Sequence, residues 1–104
     1  MVNLIRSLGY EALAFSRAEE FLAYPGLENT SCLITDMLMP GMSGLELQDE
    51  LATRHLYLPI IFVAGDPESG LRERAERAGA AGFFGKPFDS HALIDCLEAA
   101  LRQR

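Results

Sequence analysis

The stretch LITDMLMPGMSGLEL, residues 33–47, opens with apolar and β-branched side chains, reaches a lone carboxylate at Asp36, and then carries Pro40, Gly41 and Gly44. With Ser31 and Cys32 in front of it, the apolar opening predicts a buried strand. Pro40 and Gly41 supply a preset φ and a permissive backbone, so they mark a turn after that strand. Leu45 and Leu51 then stand among charged residues, a pattern that predicts an amphipathic helix opened by Gly44. Asp36 therefore falls where a strand ends and the chain turns back towards a helix.

Outward from this stretch, helical and extended patterns alternate along the whole chain. Leu4, Ile5 and Leu8 lie at helical spacing and stop at Gly9, a good residue to follow a helix end. EALAF, residues 11–15, predicts a short strand. Ser16 with Glu19 three positions on has the form of a capping box for a helix that must end before Pro25. PIIFVAG, residues 59–65, is almost entirely apolar, as a strand covered on both faces requires. Leu71, Ala75 and Ala78 repeat at helical spacing, with Glu73 and Arg77 at i,i+4, and the pattern closes on Gly79. GFF, residues 82–84, predicts a strand just before Lys86-Pro87. Asp89 or Ser90 caps a last helix whose Leu93, Ile94, Leu97 and Leu101 share one face. Such alternation predicts a parallel α/β sheet with helices on both faces and right-handed crossovers.

Composition narrows the class. The chain has 104 residues, enough for one small domain that buries roughly 65% of the surface exposed when unfolded. A formal charge of -6 opposes binding to nucleic acid phosphates or anionic lipid. Partners are then expected to be proteins or a cation. Cys32 and Cys96 form no CxxC and have no His at ligand spacing, so the sequence indicates neither a zinc site nor a disulfide framework. The longest apolar run is far short of the ~20 residues that span a bilayer, and no signal-peptide pattern opens the chain. A cytoplasmic location is expected.

In a parallel sheet of this kind, ligands collect outside the carboxyl ends of the strands. Asp36, Ala64 with Gly65, and Lys86 all fall at such ends, so a carboxylate and an ammonium approach one edge. Spacing alone leaves two alternatives open: a capping aspartate and a solvated lysine.

The motifs LITDMLMPGMSGLEL, LPIIFVAGD and AGAAGFFGKPF resemble the receiver domain of two-component response regulators, in the branch whose members often carry a helix-turn-helix output domain. The similarity runs over essentially the whole chain, residues 1–104, as a single receiver domain with no output domain. It implies a flavodoxin-like (CheY-like), doubly wound parallel sheet. It also implies that Asp36 is the phosphoacceptor for a histidine kinase or phosphotransfer protein and that Lys86 pairs with the phosphoryl oxygens, across a cis peptide to Pro87. Asp36 and the backbone carbonyl of Leu38 would be Mg²⁺ ligands, and Phe83 would hold the place of the aromatic that rotates on activation.

Two departures from the family pattern temper these implications. The family's first strand, central in the sheet and ending in a pair of metal-binding acidic residues, has no counterpart. Met1 already lies in the first helix pattern and no carboxylate precedes Glu11. The expected fold is thus N-terminally truncated, and Mg²⁺, which favours octahedral oxygen ligation by one or two carboxylates plus waters, is expected to bind weakly or not at all. At position 64 the family's hydroxyl is replaced by Ala64, which has no donor for a phosphoryl oxygen. The expected function is therefore phosphoacceptance in signal transduction, impaired in this chain. The alternative is a degenerate receiver acting as a phosphorylation-independent interaction or dimerisation module, with homodimers formed through sheet or helix faces. Phosphohydrolases of similar architecture need a second Asp two residues after the nucleophile; position 38 is Leu, which argues against an enzyme.

Overall fold

The computed structural model describes residues 17–36, 42–65 and 69–102, together with Gly9. Within them lie strands β1 (Leu33–Asp36), β2 (Ile60–Ala64) and β3 (Gly82–Gly85). Helices α1 (Ala18–Leu22), α2 (Gly44–Thr53), α3 (Ser69–Arg77) and α4 (Ser90–Arg102) flank them, and a 3-10 turn spans Leu27–Asn29. The predicted helix before Gly9 and the strand expected over residues 11–15 lie outside the described residues, as does Ser16.

The described strands form one parallel sheet in the order β1-β2-β3. All of β2 is buried, which explains its unbroken apolar run. Its side chains alternate between two apolar layers. Ile60, Phe62 and Ala64 join Ala18, Phe21, Leu47, Leu51 and Ala75 on one side. Ile61 and Val63 join Leu93, Ile94 and Leu97 on the other. Helices thus cover both faces, as the alternating pattern predicts, because a strand's period of two delivers its residues to opposite sides.

Local chemistry sets the helix ends. Ser43 caps α2 through a reciprocal pair: Glu46 N donates to Ser43 Oγ and Ser43 N donates to Glu46 Oε1, both at 3.2 Å. Asp89 resolves the choice left open at α4, since its Oδ1 accepts from His91 N at 2.9 Å. Beyond α3, Gly79 has a φ of +94°, and Ala80 N returns to Ala75 O at 3.0 Å, closing the helix in the left-handed manner that favours glycine.

Three sequence expectations need correction. α1 begins at Ala18 behind Arg17, with no side-chain cap, and Glu19 bonds Met42 N at 3.0 Å. The tertiary partner takes the carboxylate that the local motif assigns to a cap. On α2 the buried face is Gly44, Leu47, Gln48 and Leu51, whereas Leu45 is only partly buried. Those four positions have i, i+3, i+4, i+7 spacing, and the polar Gln48 obscures it. It is buried because its Nε2 donates to Ala78 O at 3.2 Å, at the end of α3. Ala78 itself is exposed, and the ion pair along α3 joins Arg72 to Glu76 at 4.0 Å.

Close approach also explains one glycine. A Cβ on Gly82 would lie 2.6 Å from Cys96 Sγ, so only glycine lets α4 settle this closely on β3. Cys96 and Cys32 are free thiols that pack against the α4 layer. Burial raises the Cys96 thiol above its ordinary value of 9.0, which holds it protonated at neutral pH.

Candidate functional site

The parallel register brings the functional candidates together. Asp36 aligns with Val63, and Ala64 aligns with Gly85, so the three strands finish at nearly one level. Lys86 N then donates to Ala64 O at 2.7 Å, which carries the β2–β3 pairing one residue further and fixes the backbone from which the lysine side chain departs. From there Lys86 Nζ reaches Asp36 Oδ2 at 2.6 Å, across the end of the central strand and fifty positions along the chain. The peptide between Lys86 and Pro87 is cis, as the resemblance implies.

The pair is partly open to water. The Lys86 side chain is 45% exposed and that of Asp36 33%. Such a pair adds little to stability, because solvent screens the attraction and two side chains lose freedom. Its chemical value is different: it places a carboxylate oxygen beside an amino group at a strand edge open to solvent. A negative group arriving at Asp36 meets Lys86 without reorganisation of the fold.

Ala64 lies between these two residues at the end of β2 and is buried. Its methyl offers no hydrogen bond to anything held by Asp36. Phe83 is buried in the same layer as Ala64, with 7% of its surface exposed. Arg72 holds it twice over: Nη2 donates to Phe83 O at 3.1 Å, and the guanidinium carbon lies 5.5 Å from the ring centroid. This double contact went unread in the sequence; the only signal was an arginine one turn before Glu76 on a helix facing an aromatic strand.

Leu38, named as a carbonyl ligand, lies outside the described residues, as do Met37, Met39, Pro40 and Gly41. Among the described residues no three His, Cys, Asp or Glu side chains gather as a metal site, and Asp36 is the sole carboxylate among the strand-end residues described here. Among the described residues Asp36 thus offers one carboxylate towards the near-octahedral oxygen set that a magnesium ion takes.

A parallel sheet with helices on both faces, carrying Asp and Lys-Pro at the ends of the two strands that flank its central strand, defines a receiver domain. The profile of the family described as "Response regulator receiver domain" matches residues 1–98, and the chain belongs to that family. It is 42% identical over 100 residues to Nodulation protein W of Bradyrhizobium diazoefficiens, an alignment covering 96% of this chain and 44% of that protein. Among solved structures it is similar to the response regulator StyR, with a TM-score of 0.88 at 40% identity, covering 97% of this chain and 51% of that one. It is also similar to FixJ-N, with a TM-score of 0.84 at 30% identity, covering 98% and 82% respectively. The chain spans about half the length of the curated relatives it matches. Receiver domains of two-component systems are generally non-enzymatic signalling modules that interact with histidine kinases or phosphotransfer proteins and bind Mg²⁺ for phosphorylation. Among the described residues no helix is long and apolar enough to cross a membrane.

Proposed function

We propose that Asp36 accepts a phosphoryl group from a histidine kinase or phosphotransfer protein and that Lys86 pairs with its oxygens. The observation that carries this reading is the 2.6 Å contact between Lys86 Nζ and Asp36 Oδ2 across the strand ends. A carboxylate oxygen of Asp36 attacks phosphorus, the new O–P bond forms as the P–N bond to the donor imidazole breaks, and the electron pair returns to that nitrogen. The product carries close to two negative charges, and the lysine already in place offsets part of that charge.

The transfer is slow in this chain. Ala64 withholds a hydrogen bond from the phosphoryl group, a bond of about 1.5–3 kcal/mol when charge-assisted. In this reading Mg²⁺ binds weakly and contributes little, which is supported by Asp36 being the one carboxylate among the described strand-end residues. The domain acts in the cytoplasm as a single receiver over residues 1–104, with proteins as partners, and does not bind nucleic acid or membranes directly. A second reading has one observation in its favour. Arg72 secures Phe83 by both its carbonyl and its ring, which suits a surface kept in one arrangement for binding a partner or a second copy, independently of phosphorylation.

Incubation with acetyl phosphate and Mg²⁺, followed by intact mass, separates the two. A slow phosphoadduct that is absent in Asp36→Asn, with a rate still rising at millimolar Mg²⁺, is the expected outcome. No adduct at any Mg²⁺ concentration would refute phosphoacceptance and favour the interaction module.

A further inference from the structure

We infer that Arg72 is a latch: it holds the N-terminal half of α3 on the end strand β3 and keeps the Phe83 ring seated in the core, and its release lets that half of the helix lift while the sheet stays folded. The device needs neither the phosphoacceptor nor the interaction-module reading, and it lies wholly within α3, β3 and the core beneath them.

β3 is an end strand of the described sheet, and α3 lies against it. The turn that joins the two is fixed by backbone bonds: Ala80 N returns to Ala75 O at 3.0 Å, and Ala81 N donates to Ile60 O at 2.8 Å. Gln48 Nε2 adds a bond from α2 to Ala78 O at 3.2 Å. Away from the turn the pair is closed by Arg72, whose Nη2 donates to Phe83 O at 3.1 Å, eleven positions further along the chain. At the turn the tie is mainly backbone; at Arg72 it is a single side chain.

Both Arg72 contacts fall on one residue. The guanidinium carbon stands 5.5 Å from the Phe83 ring centroid while Nη2 holds the carbonyl of the same residue. A planar guanidinium can do both at once, because its donors lie in its plane and its face is left for a ring. The two contacts are therefore made and lost together. Beneath them Phe83 aligns with Phe62 on β2 and is buried. Of the described side chains on α3, Ala75 is buried, and Arg72, Glu73, Arg74, Glu76 and Arg77 are exposed. The Arg72 side chain is 57% exposed, so water competes for its guanidinium, and Glu76 Oε1, 4.0 Å from Nε on the same helix, offers it a partner when it leaves the strand. Segments held by such solvated ties belong to the parts of a fold that open locally.

Hydrogen exchange across a urea series and the NMR signals of the Phe83 ring test the latch on the full chain, with Arg72→Ala, Arg72→Lys and Arg74→Ala beside the native protein. Arg74 is exposed on the same helix, so Arg74→Ala makes the same change of charge and helix propensity without touching Phe83. In the native chain the amides of Glu73, Arg74, Ala75 and Glu76 are expected to exchange with a weaker urea dependence than those of Ile61, Phe62 and Val63 in β2, the mark of a local opening. Arg72→Ala is expected to speed the helix amides about five- to thirtyfold and to move the Phe83 ring signals, while Arg74→Ala leaves both as in the native chain. Arg72→Lys is expected to behave as Arg72→Ala, because an ammonium lacks the planar fork. The inference is overturned by a urea dependence in α3 equal to that of β2, by equal exchange in Arg72→Ala and Arg74→Ala, by unmoved ring signals, or by full restoration with lysine. None of these readouts uses the phosphoadduct, so the latch and the phosphoacceptor reading stand or fall separately.

Discussion

Lys86 and Asp36 form the shortest ion pair described in this protein, yet little of the fold depends on them. With 45% and 33% of their side chains exposed, the pair contributes under about 1 kcal/mol. Lys86→Met is therefore expected to leave the urea midpoint almost unchanged. The same substitution removes the one cation described beside Asp36, and adduct formation from acetyl phosphate is expected to fall on the order of 10²-fold. Urea titration and intact mass on one preparation test both halves. A large loss of stability would show that Lys86 has a structural role the contact does not reveal. Asp36 and Lys86 were legible in the sequence as strand-end residues because each follows an apolar run. Their contact was not, since no local rule brings together groups fifty positions apart. Glu19 was misread for a related reason: the capping-box spacing is local, and Met42 N competes successfully for the same carboxylate.

Among the elements, β2 and α4 were the most legible, and α2 the least. The apolar run of β2 is buried as read, and on α4 Leu93, Ile94 and Leu97 are buried, whereas the fourth position of the predicted stripe, Leu101, is only partly buried and Ala100 is buried beside it. On α2 a buried glutamine breaks the stripe, and the burial of Gln48 depends on the carbonyl of Ala78 in another element. Gln48 Oε1 has no partner among the described residues, so one half of its amide is satisfied by protein and the other is not. At the start of α4, Asp89 accepts from His91 N in the expected capping role. Asp89→Ala is expected to destabilise the domain by about 0.5–2 kcal/mol. Asp89→Asn, which keeps an acceptor oxygen, should recover most of that in thermal or denaturant unfolding.

At the scale of the whole molecule, β2 joins the two apolar layers, and Phe62, with 0% of its surface exposed, is among its largest buried side chains. Phe62→Ala is expected to cost about 3–5 kcal/mol by lost transfer energy and an unfilled cavity. Against a total stability of about 5–15 kcal/mol for a domain of this size, that removes a large share. A urea midpoint shifted by less than that of Asp89→Ala would mean that the layer collapses around the missing ring. In contrast to Lys86→Met, apolar burial along β2 holds the fold together, while the partly solvated charges at the ends of the flanking strands β1 and β3 contribute little to it.

By itself the sequence determined the order and type of the elements from Ile60 onward, the α/β class, and the placement of Asp36, Ala64 and Lys86 at strand ends. Period-two and period-3.6 burial and short-range turn chemistry are local, so they can be read from adjacent residues. The tertiary structure decided which groups meet: Lys86 with Asp36, Glu19 with Met42, Arg72 with Phe83, Gln48 with Ala78. Each of these contacts is set by strand register and helix packing, which depend on the whole core at once.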